Sequence, residues 1–466
     1  MSMSNMLKWS AVNIGARTAL KLMTSMSEDR WMRMVHPIIS KRSMPEAAIM
    51  VDLMFRRFHR GFPTLSRQVK EKVIQNFIVK PFTVYGPRRR SYFEEVGESP
   101  PALLVISPSM KCNLHCYGCY AGDYKKGEEL SLDLVNRIIN EAKEIGIFFF
   151  VISGGEPNAW PHLMEMLETH GDAMFQIYTN GTLIDDRRAD DFARVGNAIP
   201  CISVEGFERE TDERRGKGTF HKIVDAMDRL RERGVMFGFS ATATRQNNEF
   251  IVSDEFVDFY LDKGIYIGWY FNYIPIGKEP DLDLMPTPEQ RDYRRRRIIE
   301  LRDTKKAVLA DFWNDGILTD GCMAGGHNYL HIISSGDVEP CVFCHFAADN
   351  IKEKSLKEVL QSRFFKAFRE RRPYNDNLLL PCTIIDNPFI LREAVKEGGA
   401  HPTHPGSDSI ITTLAPALDV YAERYGRVAD QAWEEEYENL TYKGHLNFID
   451  ELMNGGREKS KNAVKV

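Results

Sequence analysis

Apolar positions along the chain follow two rhythms. From residue 1 to about 98 they recur near helical spacing, and Met44–Phe58 and Leu65–Phe77 are predicted helices. From about 102 to 278, short apolar runs alternate with amphipathic stretches. Six runs are predicted strands: Ala102–Ser107, Ile147–Ser153, Met174–Tyr178, Cys201–Val204, Met236–Ala243 and Ile265–Tyr273. Leu130–Ile145, Trp160–His170 and Thr219–Arg233, which lie between them, carry helical periodicity. Strands alternating with helices imply a parallel sheet with helices on its faces. Six such units make three-quarters of an eight-fold barrel. The expected fold class is α/β: a partial (β/α)6 TIM-type barrel with an N-terminal helical region and a C-terminal cysteine-rich plus helical extension.

Proline and glycine set the expected boundaries. Pro87–Pro101, with Gly97, Pro100 and Pro101, reads as a linker. After Asp281 the spacing becomes helical again through Arg302, and residues 322–382 are rich in cysteine and turns. The expected division is a helical region over 1–98, a barrel over 99–280, a linker helix and cysteine-rich region over 281–382, and a helical tail over 383–466.

Composition narrows the function classes. The chain has 466 residues, 43% hydrophobic and 27% charged, as in a soluble globular protein. A net charge of −5 does not suit nucleic acid as a partner, which calls for a basic surface. No run is long enough to span a bilayer, the longest being strand-sized, around Ile145–Ile152. Asn13, Arg17 and Lys21 break up any signal-peptide core, so a cytoplasmic protein is expected. Within the first 27 residues, Lys8, Arg17 and Lys21 accompany Trp9, Val12, Ala16, Ala19, Leu20 and Met23 at near-helical spacing. Such a basic amphipathic helix can lie on an anionic membrane surface, a peripheral contact, although packing on its own domain is the commoner fate.

Six of the eight cysteines lie in two regions with short spacings, 112–119 and 322–344. That clustering reads as metal ligation in a reducing compartment. Cys112, Cys116 and Cys119 follow the first predicted strand, where barrel chemistry sits. Three thiolates on one loop can hold a 4Fe–4S cluster and leave the fourth iron open; zinc or three buried thiols are the alternatives. Cys322, Cys341, Cys344 and Cys382 form the second set, with a hairpin predicted between Ile332 and Pro340 that turns near Ser335-Gly336. Zinc is the main rival there. Cys201 reads as a buried apolar residue, Arg294–Arg297 as a solvated face, His401 and His404 as a surface loop, and Trp433–Tyr437 as an exposed acidic helix.

The Cys112–Cys119 loop resembles the signature of the radical S-adenosylmethionine (radical SAM) superfamily, and three later segments match that family in order. Gly154-Gly155-Glu156-Pro157 resembles the segment that holds the methionine amino group. Tyr178-Thr-Asn180-Gly181 resembles the family's third strand end. Ser203-Val-Glu205-Gly206, followed by Arg214 and Arg215, resembles the segment near the ribose and the methionine carboxylate. The family places a bulky residue against adenine where this chain has Gly118, so Tyr117 or Tyr120 is expected to make that contact. Residues 322–382 resemble a shortened SPASM/twitch extension with one auxiliary cluster; the full form carries about seven cysteines.

The resemblance implies an enzyme in which Cys112, Cys116 and Cys119 ligate a cluster that reductively cleaves S-adenosylmethionine to a 5′-deoxyadenosyl radical. That radical takes hydrogen from an unactivated C–H bond. Tyr117, Gly154, Gly155, Glu156, Asn180, Ser203, Glu205 and Arg215 are the expected cofactor-binding residues, and Cys322, Cys341, Cys344 and Cys382 the auxiliary ligands. A lipid or isoprenoid chain is the slightly favoured substrate. A peptide or protein side chain is the alternative, and a non-catalytic iron–sulfur scaffold or redox sensor the third. A low-potential electron donor such as flavodoxin or ferredoxin is implied as a partner.

Overall fold

The computed structural model describes residues 45–438, together with Ser27, Glu28 and Arg30. The expected basic amphipathic helix at the N-terminus lies outside the described residues. Seven consecutive parallel strands, β1 (Leu103–Ile106), β2 (Phe149–Ile152), β3 (Met174–Thr179), β4 (Ala198–Val204), β5 (Gly238–Ala243), β6 (Ile267–Asn272) and β7 (Leu309–Asp311), pair in chain order. All six expected strands are present. β7 is a seventh, three residues long, and too short to stand out as a hydrophobic run.

The sheet continues at the other edge. β8 (His331–Ile332) pairs parallel with β1, in the register Val105↔His331 and Ile106↔Ile332. β9 (Val338–Glu339) returns antiparallel to β8, so the expected hairpin exists, with Gly336 in the left-handed region at φ 92°. A glycine takes that conformation without the penalty a Cβ would add. β10 (Phe346–Ala347) and β11 (His401–Pro402) form a separate antiparallel pair.

Strand side chains alternate between two apolar environments, as expected where both faces are covered. Leu104, Ile106, Phe150, Ile152, Phe175 and Ile177 pack under the helices. Their neighbours Leu103, Val105, Phe149, Val151 and Tyr178 point into the barrel. The helices begin where capping chemistry places them: Ser131 accepts from Leu134 N–H at the start of Leu132–Glu144, and Thr287 with Gln290 opens Pro288–Lys305.

Three expectations are corrected. Most of Pro87–Pro101 is not a linker: Gly86–Val96 is a helix with its proline in the first turn, where a missing N–H costs nothing, and Gly97 ends it. Nor is Arg294–Arg297 a uniformly solvated face. Arg294 is fully buried against Asp311 at 3.0 Å and Asn272 at 2.5 Å, and Arg295 is buried against Asp292 and Glu436. The guanidinium's fixed fork of donors lets a charge be buried when carboxylates meet it. Glu436 is thereby drawn into the fold instead of standing on an exposed acidic helix.

His170 is held neutral at the foot of the barrel. Its Nδ1 accepts from the Lys143 ammonium at 2.9 Å, and its Nε2–H donates to Asn136. Burial, then the Lys143 charge, pushes its pKa down to about 4. The unfolded chain therefore binds more protons between about pH 6.5 and 4, and stability is lost as pH falls through that window. The urea midpoint should drop from pH 7 to pH 5, and drop less in His170→Gln. Arg294→Ala leaves a buried carboxylate unpaired and should cost roughly 3–5 kcal/mol in chemical denaturation. Arg296→Ala, on the exposed face of the same helix, should cost under about 1 kcal/mol.

Candidate active site

Ser107 to Leu130 form the loop after β1, and its base is clamped by the turn after β2. Gly155 N donates to Ser109 O at 3.1 Å and Glu156 N to Lys111 O at 2.8 Å. A Cβ on Gly154 would stand 2.4 Å from Ser109 O, and one on Gly155 2.2 Å from Lys111 O. Only glycine allows this approach. Cys112, Cys116 and Cys119 consequently line one wall of the cavity inside the barrel, together with Gly154 and Gly155. Leu114 N–H and the Asn180 amide point at Cys112 Sγ, at 3.5 and 3.8 Å.

Arg214 and Arg215 line the same cavity, held from behind by Glu205. Glu205 Oε1 accepts from Arg214 at 2.7 Å and from Arg215 at 2.8 and 2.5 Å. Arg214 also reaches the carbonyls of Tyr117 and Gly118, tying the cysteine loop to the end of β4. Ser203 and Asn180 are on the cavity wall. A wall of three thiols facing two cations suits an iron–sulfur cluster with an anionic ligand beside it.

Three expected cofactor contacts are placed differently. Tyr117 is 46% exposed and turns outward to donate to Asp281 at 2.8 Å, away from the cavity. Glu156 is buried with its carboxylate engaged: Oε1 accepts from Asn158 N, Asn158 Nδ2 and Thr179 Oγ1, and Oε2 from Asn180 N. These four bonds make Glu156 a brace between the turns after β2 and β3. Glu205 is likewise behind the cavity, acting through the arginines. Sequence reasoning missed Tyr273. A Cβ on Gly118 would stand 2.8 Å from its ring, so the chain has glycine where the family has bulk because a β6-end tyrosine fills that space. The departure at Gly118 was the available signal. Tyr120, the other expected candidate, is on the cavity wall and bonds Ser153 at 2.8 Å.

The cavity has a volume of about 640 Å³ and runs from the cysteine loop along the barrel interior to the helix Pro45–Gly61. Its walls are mostly apolar: Val105, Val151, Phe271, Ile199, Met236 and Phe58 among them. Arg57, Arg214 and Arg215 are the charged side chains among its described lining residues. No carboxylate is among the described lining residues.

The second cysteine set brackets the β8–β9 hairpin, with Cys322 before it and Cys341, Cys344 and Cys382 after it. The backbones of Cys341 and Cys344 pair in an isolated antiparallel bridge. Backbone N–H groups of Phe343 and Ile384 point at Cys341 and Cys382 sulfurs, at 3.4 and 3.3 Å, and the Tyr329 hydroxyl donates to Cys341 at 2.9 Å. Burial pushes the Cys322, Cys341 and Cys382 thiols up to about 12, and mutual repulsion adds to it. Such thiols become thiolates when a metal binds them. The Tyr374 hydroxyl, near enough to Cys322, Cys344 and Cys382 to feel their charge, is buried with no hydrogen-bond partner among the described residues. An unmet donor beside these sulfurs suits a bound sulfide-bearing cluster.

Cys201 is fully buried, as expected, and burial raises its thiol. Of the two loop histidines, His401 is exposed on β11, but His404 is buried, with its Nε2 2.7 Å from His345 Nδ1.

Barrel, cysteine loop and cation pair together define an iron–sulfur enzyme of the radical-initiating type. Residues 106–249 match the Radical SAM superfamily, and residues 322–383 match SPASM, an iron–sulfur cluster-binding domain. The chain is a radical SAM enzyme with a SPASM domain, and those domains bring a 4Fe–4S cluster, S-adenosylmethionine and auxiliary iron–sulfur binding. It is 25% identical to an AdoMet-dependent heme synthase of Methanosarcina barkeri, over 58% of this chain and 85% of that protein. It is 29% identical to the mycofactocin maturase MftC of Mycolicibacterium smegmatis, over 61% and 76%. The fold matches Streptococcus suis SuiB bound to S-adenosylmethionine with a TM-score of 0.53 and 21% identity, over 64% of this chain and 75% of that one.

Iron and sulfide analysis after anaerobic reconstitution should separate the sites. Cys116→Ser should lose about half of the iron, Cys322→Ser the other half, and Cys201→Ser none.

Proposed function

We propose that this chain starts radical chemistry at Cys112, Cys116 and Cys119 and takes hydrogen from an unactivated C–H bond of a peptide substrate. The observation that carries the chemistry is the meeting of those three thiols with Arg214 and Arg215 on one cavity wall. Bound there, the cluster and S-adenosylmethionine supply the one-electron cleavage that generates the hydrogen-abstracting species. The residues of the chain do the positioning. Arg215, braced by Glu205, presents a cation to the methionine carboxylate, and the backbone at Gly154 and Gly155 brings the wall close to its amino group. Ser203 and Asn180 flank it, and Tyr273 with Tyr120 bounds the adenine side. The apolar barrel keeps water from the reacting carbon. Cys322, Cys341, Cys344 and Cys382 hold the auxiliary cluster. The four-part division at 98, 280 and 382 and a flavodoxin- or ferredoxin-type donor belong to the same reading.

Named relatives support a peptide: besides the mycofactocin maturase, a PqqA peptide cyclase of Rhizobium meliloti is 25% identical over 58% of this chain. A second reading, a lipid or isoprenoid chain, is favoured by one observation. The apolar lining of the cavity extends from the cysteine loop to Phe58 and Phe77 of the N-terminal helical region. Among the described residues no helix is long and apolar enough to cross a membrane.

Reduced with dithionite, the loaded enzyme should form 5′-deoxyadenosine, and Cys116→Ala should form none. Absence of the product from fully loaded wild type would favour the scaffold reading. Deuterium carried into 5′-deoxyadenosine from a labelled precursor peptide, and not from labelled lipid extract, supports the peptide; the reverse supports the chain.

A further inference from the structure

The Tyr329 side chain belongs to both sites. Its ring lines the cavity, and its hydroxyl donates to Cys341 Sγ at 2.9 Å. Among the described residues it is the side chain that hydrogen-bonds a sulfur of the second set; the other donors to those sulfurs are backbone. The local chain is built for this placement. After Cys322, Gly325 and Gly326 both adopt positive φ, at 70° and 72°, and Gly325 lies so close to Phe368 that a Cβ would stand 2.5 Å from that side chain. Gly326 N then bonds Tyr329 O, and Tyr329 N bonds Met323 O, which folds the tyrosine back beside the cysteine that starts the turn. The ring is buried against Phe312.

We propose that Tyr329 is a positioning residue that tunes the auxiliary cluster, raising its reduction potential from the cavity side. The inference rests on the reading that Cys341 is a cluster ligand. A hydrogen bond to a ligand sulfur stabilises the more negative, reduced state, because the donor's positive end meets the extra charge. Inside a low-dielectric core such a bond counts for more than in water. Among the described residues, the side-chain donor to the auxiliary sulfurs therefore sits in the cavity wall.

The test is a redox titration followed by electron paramagnetic resonance on the reconstituted, full-length enzyme. Tyr329→Phe should lower the auxiliary potential while leaving the other cluster where it was. A tenfold fall in the reduced fraction relative to oxidised at fixed potential corresponds to about 59 mV. A fluorinated tyrosine placed at 329 keeps the shape and donates more strongly, so it should shift the potential the opposite way. Unchanged potentials in both variants overturn the proposal. Loss of auxiliary iron from Tyr329→Phe with the fold intact overturns it too, since the residue would then be needed for loading. Wild type that binds no auxiliary iron refutes the ligand reading itself, a distinct result.

Discussion

Strand β1 is hydrogen-bonded on both edges, and the geometry of the active region follows from that. On one edge lies β2, whose Gly154-Gly155 turn closes on the cysteine loop to a distance no side chain would permit. On the other lies β8, the first arm of the cysteine-rich hairpin. One four-residue strand thus fixes where the first three cysteines stand and which wall of the barrel receives the second set. His331 adds a side-chain tie across this pairing, with Ser107 at 2.7 Å on one nitrogen and Glu339 at 2.8 Å on the other. Glu339 in turn accepts from Tyr124 and Thr403, so the cysteine loop, hairpin and C-terminal loop share one buried carboxylate.

Charge is handled by the same device at three places: an arginine cluster braced by a carboxylate behind it. Glu205 sets Arg214 and Arg215, Asp311 sets Arg294, and Asp386 sets Arg291, which also stacks on Tyr425. Asp386 additionally accepts from Cys382 N–H, so the last cysteine of the second set is indexed to the long C-terminal helix. Buried pairs of this kind do not add much net stability, yet losing one partner is costly, which makes them effective at fixing relative position. Arg57, Arg214 and Arg215 apart, the described lining of the barrel cavity is uncharged, which suits chemistry that must exclude water.

The substrate question turns on two observations of different kinds. Relatives named as a maturase and a peptide cyclase speak for a peptide. The apolar lining of the cavity speaks for a hydrocarbon chain. Homology transfers reaction class more readily than it transfers the shape of the substrate, because loops and wall residues vary on a constant fold.

The sequence alone determined the repeat of strand and helix, the six barrel strands, the hairpin before Cys341 and the membership of Cys112, Cys116 and Cys119 in one loop. These are local properties, set by period, turn chemistry and spacing over a few residues. Which side chains face the cavity was decided only in three dimensions. Tyr117 and Glu156 sit within a few residues of true wall residues and still point elsewhere, because the partners that hold them, Asp281 and Asn180, come from distant segments. Tyr273 reaches the cysteine loop from more than 150 positions away, and Arg294 and Arg295 are buried by carboxylates on other elements. Direction and burial depend on what folds against a residue, and no local spacing encodes that.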